Sequence, residues 1–408
     1  MRLIHRLPAW LLFLVAGLVQ AEPILLAAVD TSRFGPDPEK LVASAIEDIR
    51  ASKPDSALAN VDRLIAMQPD FKLAYLLKGD LLQAKAGALP SFGAVPKAAN
   101  RTELNGLKDE AKVRLMRYLD QPDPEKLPKQ ILQLAPSQKY ALLADASRAR
   151  LYIFENVSGE PRLLRDFYVS VGRNGVDKRS EGDLKTPTGV YTFSTEKSRS
   201  QLTSFYGAGA YTLDYPNEWD ETQGNSGHGI WLHGVPPDTY SRPPKASEGC
   251  LVVANSDYQE INRYIRPNNT PIVIADRADW LDREAWLSAR AEIERALDAW
   301  KADWERLDAD RYFSHYTGDF LKRNGRGWME SKRRNITQKN WIRVGLTDFS
   351  LFLYPSNDLA VVNFTQAYDS DKHRDVTRKR VYLKLEDGRW RIALEKNLQS
   401  APALASNN

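Results

Sequence analysis

The hydrophobic period of this chain changes twice along its length, and that change limits the fold more than any other feature. From residue 38 to about 119 the apolar positions fall at helical spacing. Leu41, Val42, Ala45, Ile46 and Ile49 form one stripe, Leu58, Val61, Leu64 and Ile65 a second, and Leu73, Leu76, Leu77 and Leu81 a third. Pro54, Pro69 and Gly87 separate them, which predicts helices of about four turns stacked as antiparallel hairpins. A Pro/Gly/Ala loop over 86–100 precedes one more helix near 104–119. Residues 121–136 contain four prolines and read as a linker. The period then becomes two. Residues 140–144, 150–156, 164–171 and 271–275 are β-rich runs, with turns at Asp145-Ala146-Ser147-Arg148 and Ser158-Gly159-Glu160-Pro161. From Asp282 a long helix places Ile293, Leu297, Trp300, Trp304 and Leu307 on one face. A second short helix and three strand-like stretches follow, at 341–353, 359–368 and 378–394. The last turns at Asp387-Gly388, with Val381, Leu383 and Leu385 on one side. A helix followed by a meander of long strands predicts a curved sheet packed on that helix.

The fold class is therefore multidomain α+β: a helical segment at 37–120, a mostly-β domain at 137–276 and an α+β domain at 282–400. A length of 408 residues fits two or three domains. Hydrophobic residues at 42% and charged residues at 27% exclude a disordered chain and a polytopic membrane protein. Lys+Arg 57 against Asp+Glu 53 gives a net charge of +4, too balanced to suggest nucleic acid as a partner.

Residues 1–21 read as a secretory signal. Arg2, His5 and Arg6 supply a basic start, 11–19 an apolar core, and Val19-Gln20-Ala21 small residues before a cut at Glu22. The apolar core is about half of the ~20 residues a spanning helix needs, although an uncleaved anchor stays open as an alternative. The expected location of the mature chain is the periplasm. In such an oxidising compartment the single cysteine, Cys250, has no partner in its own chain. It is inert and buried, paired between molecules, or reactive.

The chemistry concentrates in Gly227-His228-Gly229-Ile230-Trp231-Leu232-His233-Gly234 and Ser247-Glu248-Gly249-Cys250-Leu251-Val252-Val253. A cysteine nucleophile needs a base to take its proton and donors to hold the developing oxyanion. Gly249 lets the backbone approach a reacting carbonyl, and the Gly249 and Cys250 amides are the candidate donors. Of five histidines, His5 lies in the signal and His315 and His373 in the C-terminal domain. If 230–233 is a strand, Ile230 and Leu232 face the core while Trp231 and His233 face the other way. His233 is then the candidate base and His228 falls off that face. The plainer alternative is two surface histidines and a buried small thiol. A zinc site built from both histidines and Cys250 fits neither a helical pair nor a zinc knuckle, so no metal and no cofactor are expected.

His233-Gly234, followed by Ser247, Gly249 and Cys250 seventeen residues on from His233, resembles the signature of the L,D-transpeptidase (YkuD) family. Gly182-Asp183-Leu184-Lys185-Thr186-Pro187-Thr188-Gly189-Val190-Tyr191 is similar to the family's second marker, and Leu213-Asp214-Tyr215-Pro216-Asn217 with Asp220 is shared with relatives. The resemblance spans residues 137–276. It implies chemistry on the peptide stems of peptidoglycan: Cys250 attacks the carbonyl of the L-centre of a diamino acid, and a terminal D-alanine leaves. His233 acts as base and then acid, with a backbone carbonyl as its orienting group, and Ser247 orders the loop. Trp231, Gly234, Arg242 and Lys245 are the expected substrate-binding residues. Arg242 and Lys245 stand in for charges lost where Glu248 and Leu251-Val252 replace the family's usual His and Ile-Arg. Residues 282–400 resemble the nuclear transport factor 2-like fold, and 54–86 a tetratricopeptide repeat. The Ser-Glu-Gly-Cys form joined to such a C-terminal domain resembles the cell-shape-determining L,D-carboxypeptidases. Either outcome, crosslinking or trimming, is therefore open. So is a catalytically silent peptidoglycan-binding scaffold. A papain-like protease fits poorly, because here the histidine precedes the cysteine. Trp328, Arg333, Arg334 and Trp341 are candidate glycan or peptide contacts, and the N-terminal helices are expected to serve a homodimer or an envelope partner.

Overall fold

The computed structural model describes residues 38–87, 92–93 and 100–398; the expected signal sequence lies outside them. Among the described residues four helices come first: α1 (Pro38–Arg50), α2 (Pro54–Met67), α3 (Lys72–Ala86) and α4 (Arg101–Leu119). Pro54 begins α2, where its missing N–H costs no helical bond, and the Asn100 side chain accepts the Thr102 and Glu103 amides to cap α4. The apolar stripes meet in one core around Val42, Ala45, Val61, Leu64, Leu73 and Leu77.

The stretch expected to be a linker is instead built into the body. It forms β1 (Leu127–Pro128) and β2 (Ile131–Gln133), and β2 is the edge strand of the C-terminal sheet. Ile131 and Leu132 are fully buried, and the Trp286 indole donates to the Ile131 carbonyl at 3.0 Å. Proline content excluded helix here. It did not exclude a short edge strand, where a ladder N–H is dispensable.

The central sheet contains β3 (Tyr140–Asp145), β4 (Arg150–Val157) and β5 (Glu160–Tyr168). The short β6 (Val171–Gly172) lies outside it. β7 (Gly189–Lys197) and β8 (Ala210–Leu213) follow, then the short helix α5 (Glu218–Thr222) and β9 (Trp231–His233). β10 (Lys245–Ser247) pairs with β6, and β11 (Leu251–Val252), α6 (Asn255–Ile261) and β12 (Pro271–Ala275) complete the domain. The eight strands run in the order β11-β9-β8-β7-β12-β3-β4-β5. One face, carrying Leu142, Ile153, Phe193, Tyr211, Leu232 and Leu251, packs with Tyr258 and Ile261 of α6. The other face carries Ala141, Leu143, Phe154, Val190 and Val273 and meets Phe352, Val361 and Tyr382 of the C-terminal sheet.

β13 (Trp280–Leu281) pairs with β1, and α7 (Arg283–Glu305) starts where predicted. Two helices follow, α8 (Ala309–Ser314) and α9 (Gly318–Thr337). One short helix was expected here; the second of the two observed has 20 residues, with a kink at Gly325, φ 74°. The strands β14 (Ile342–Leu353), β15 (Leu359–Ser370), β16 (Arg374–Glu386) and β17 (Arg389–Leu398) form an antiparallel sheet in the order β17-β16-β15-β14-β2. Asp387 and Gly388, both at positive φ, make the predicted hairpin turn. Val381 and Leu383 face the α7 core while Tyr382 faces the central sheet; Leu385, expected beside the first two, is exposed at the strand end. Helix, sheet, sheet and helix thus stack as layers.

Asn217, Glu218 and Trp219 lock the two sheets together. Asn217 Nδ2 donates to the Val190 carbonyl and to the Tyr354 hydroxyl, each at 3.0 Å. Glu218 accepts from Arg380 at 2.9 Å and from the Tyr382 hydroxyl at 3.0 Å. Trp219 stacks on Tyr382 with ring centroids 5.7 Å apart.

Candidate active site

β9 and β11 run parallel, with Leu232 opposite Leu251 and His233 opposite Val252. Cys250 therefore comes level with Trp231. Because Leu232 and Leu251 point into the core, alternation sends Cys250, Trp231 and His233 to the opposite, outward face. The Cys250 thiol donates to the Gly229 carbonyl at 3.4 Å, and the Trp231 amide faces the sulfur and favours its thiolate. Burial outweighs that donor and pushes the thiol pKa up. His233 is 1% exposed. Its Nδ1 lies 2.6 Å from the Gly234 carbonyl, an acceptor only, so Nδ1 carries the proton and Nε2 keeps the lone pair a base requires. Tyr206 and Phe205 pack on its ring at centroid distances of 5.1 and 5.8 Å. Burial, and then the nearby Arg242 charge, pull its pKa down to about 4. The resting pair is a neutral thiol and a neutral imidazole.

The cysteine loop is held from inside. Ser247 Oγ donates to the Cys250 carbonyl at 2.6 Å and accepts the Gly249 amide at 3.1 Å. The second expected oxyanion donor is thereby corrected: the Gly249 N–H is turned onto Ser247. The Cys250 amide has no acceptor among the described residues. Gly249 sits at φ 126°, and a Cβ there would approach the Lys185 carbonyl to 2.7 Å, so only glycine fits. Thr186 Oγ1 donates to the Gly249 carbonyl and accepts the Gly172 amide, both at 2.9 Å. Asp183 shapes the preceding turn. It accepts the Arg179, Ser180 and Lys185 amides and the Lys178 ammonium, and these donors hold its carboxyl well below the usual range.

The remaining expectations divide. Arg242 lies over the Phe205 ring at 4.6 Å, and its charge favours the Cys250 thiolate. Trp231 is half-buried on the open face. Gly234 is buried, and a Cβ on it would collide with Asn255 Oδ1. Its carbonyl accepts from His233 Nδ1 at 2.6 Å. Lys245 is exposed on β10, whereas Lys178, buried by Asp183, is the second cation whose charge reaches the thiol. His228 is exposed beside Glu181 at 3.6 Å. Sequence reasoning passed over Phe205, Tyr206, Gly229 and Asn255, because aromatic and carbonyl contacts across loops leave no spacing signal.

The N-terminal helices contact this site. Tyr240, from the loop between His233 and Cys250, is part of the helical core and packs on Phe71 at 4.5 Å. Ser241 Oγ donates to Glu110 of α4 at 2.7 Å, and Tyr168 donates to the Arg242 carbonyl at 2.7 Å. In the C-terminal domain, Trp328 lies in a cluster with Phe313, Tyr316 and Phe320, and Arg333 pairs with Asp310. Arg334 is exposed, and Trp341 stands apart beneath Arg343. These four do not converge on one site. No cluster of three or more His, Cys, Asp or Glu fit to hold a metal ion occurs among the described residues.

Residues 139–274 match the family profile of the L,D-transpeptidase catalytic domain, YkuD, and residues 292–396 that of the Cds6 C-terminal NTF2-like domain. Among solved structures, Bd1075 of Bdellovibrio bacteriovorus aligns at 28% identity and TM-score 0.60, over 68% of this chain and 99% of that one. Pgp2, a helical cell shape determining protein of Campylobacter jejuni, aligns at 22% identity and TM-score 0.54, over 67% of this chain and 96% of its own, and shares the fold. A search of curated proteins returns no match. With its fold and both profiles in agreement, this chain carries a YkuD-family L,D-transpeptidase catalytic domain joined to an NTF2-like C-terminal domain.

Proposed function

We propose that this protein is a periplasmic cysteine enzyme of peptidoglycan that cleaves the bond between the L-centre of a diamino acid and the terminal D-alanine of a tetrapeptide stem. The observation that carries the reading is the parallel β9–β11 pair, which sets Cys250 and His233 on one outward face with the His233 tautomer fixed by the Gly234 carbonyl. Because both groups rest neutral, proton transfer accompanies attack. The Cys250 sulfur forms a bond to the carbonyl carbon as His233 Nε2 takes the thiol proton. The Cys250 amide holds the oxyanion. Collapse of the tetrahedral intermediate breaks the C–N bond, and His233 returns the proton to the D-alanine amine. The thioester that remains goes to water, giving a tripeptide stem, or to an amine, giving a crosslink.

Arg242 supports this substrate. Its charge acts on both Cys250 and His233, and in this reading it receives the terminal carboxylate of D-alanine. Neutralising it removes a positive charge that opposes protonation of His233, so binding strengthens the base. The test is incubation with tetrapeptide muropeptides, followed by mass analysis. Tripeptide monomers mark hydrolysis and dimers mark transfer. Unchanged tetrapeptide, with Cys250 shown to be reduced, would leave a silent scaffold.

A further inference from the structure

A cavity of about 430 Å³ lies between the catalytic sheet and the C-terminal sheet, within the ~300–1,000 Å³ usual for ligand pockets. Its catalytic-domain wall includes Thr192 and Ser194 of β7 and Asp214 just after β8. These side chains share the outward face of the sheet with Cys250 and Trp231, because their neighbours Phe193, Leu213 and Leu251 point into the opposite core. Thr212, paired with Trp231 across β8 and β9, lies between them and is only half-buried. A strip Cys250–Trp231–Thr212–Ser194 therefore crosses the sheet from the thiol to the cavity. From β11 to β7 it takes three strand steps, about 14 Å at the usual ~4.8 Å spacing.

The opposite wall comes from the C-terminal domain, and its chemistry is specific. Arg380 is satisfied by Glu218 at 2.9 Å, and its Nε donates to Asn363 Oδ1 at 2.9 Å. Arg378 lines the same cavity and has no carboxylate partner among the described residues. Asn268 and Asn269 stand at one side, and Val190, Phe352 and Val361 provide apolar surface. Amide and hydroxyl groups around an apolar patch, with one unpaired guanidinium, suit an N-acetylated sugar. Its acetamido methyl needs apolar contact, and its hydroxyls and carbonyls need mixed donors and acceptors.

The length agrees. Three extended stem residues span about 10 Å, and a lactyl ether adds roughly one more residue's length. A sugar in the cavity would thus deliver the third residue of its stem to Cys250. The geometry points to this interdomain cavity as a subsite for the N-acetylated disaccharide that bears the scissile stem. This inference rests on the proposed peptidoglycan reaction and extends it from the peptide to the glycan strand.

The experiment compares a disaccharide-tetrapeptide with the free tetrapeptide on the full chain. We expect kcat/KM at least tenfold higher for the sugar-linked substrate. Arg378→Ala, and separately Ser194→Trp to fill the cavity, should bring the ratio of the two values to within twofold, with unfolding midpoints confirming that each variant folds. Equal kcat/KM for both substrates in the wild type, or a ratio unchanged in both variants, overturns the subsite. If neither substrate is turned over, the proposed reaction fails, and titration of Cys250→Ala with the peptide-free disaccharide decides the subsite alone. Binding weakened at least fivefold by Arg378→Ala supports it, and no binding, or binding indifferent to that change, overturns it.

Discussion

Ser241 Oγ donates a 2.7 Å hydrogen bond to Glu110, a carboxylate 1% exposed in α4 and more than a hundred residues away in sequence. Glu110 also accepts from the buried Arg114 at 2.8 Å, and Arg114 lies over the Phe71 and Tyr168 rings. The loop that carries Arg242 is therefore tied to the N-terminal helices through a buried polar network. Glu110→Ala leaves Arg114 short of one partner and should cost about 3 kcal/mol of stability, read from denaturant melts. Ser241→Ala removes only the loop bond and should cost about 1 kcal/mol. Ser241→Ala should nevertheless slow alkylation of Cys250 by iodoacetamide, because a looser Arg242 favours the thiolate less. An alkylation profile identical to wild type would separate the helices from the site.

The pH behaviour follows from His233. Its folded pKa of about 4 lies below the unfolded value of 6.5, so the unfolded chain binds the extra proton in the window between them. Stability is then full above about 6.5 and falls with pH through 4, by ~3 kcal/mol for this one group. His233→Asn should flatten that acid limb in a series of melts. Activity needs the neutral imidazole, so kcat/KM of the free enzyme should hold down to about pH 4 rather than decline near 6.5. An acid limb centred near 6.5 would mean that His233 is not buried in the working enzyme.

How far the sequence carries is visible in particular residues. Alternation across Ile230 to His233 placed His233 and Trp231 off the core face, because a strand side chain has only two directions. The α7 stripe was equally plain through Ile293, Leu297, Trp300 and Trp304, all buried in one core, whereas Leu307 falls beyond the helix end at positive φ. What was hidden depends on long-range pairing. β2 is three residues long and gains its place through distant partners, β14 and Trp286, so 121–136 looked like a linker. The Gly249 amide looked free because its acceptor, Ser247 Oγ, is set by a loop fold and not by a periodicity.

Thr186 is the joint between the second marker segment and the cysteine loop. Its hydroxyl is buried and bridges the Gly172 amide and the Gly249 carbonyl. Thr186→Val keeps the shape and deletes both bonds, leaving two buried backbone groups unsatisfied. The expected stability loss is about 2 kcal/mol. Thr186→Ser retains the hydroxyl and should recover most of it. Activity should fall by about two orders of magnitude in Thr186→Val, since a displacement of the loop near 1 Å is costly to attack geometry. A variant destabilised as expected but fully active would show that the loop finds its reactive shape without this bridge.

Gly234 and Asn255 test the orienting carbonyl. Asn255 Oδ1 accepts the Ala208 amide at 2.8 Å and the Val235 amide at 3.2 Å, and its Nδ2 donates to the Val235 carbonyl at 2.8 Å. A methyl at Gly234 would run into that same oxygen, so Gly234→Ala must push the Gly234 carbonyl and the Asn255 side chain apart. The His233 Nδ1 bond to this carbonyl then loosens and the tautomer is no longer fixed, which should cost tenfold or more in kcat. Asn255→Gly on the Gly234→Ala background removes the worst obstacle and leaves only the Ala208 nitrogen at 3.0 Å and the Tyr206 carbonyl at 3.3 Å. If strain on the carbonyl is the cause, the double variant should regain kcat, although losing three hydrogen bonds makes it less stable than wild type by roughly 2–3 kcal/mol. Activity that tracks stability through both variants, with no recovery of kcat, would mean that the Gly234 carbonyl does not govern the imidazole.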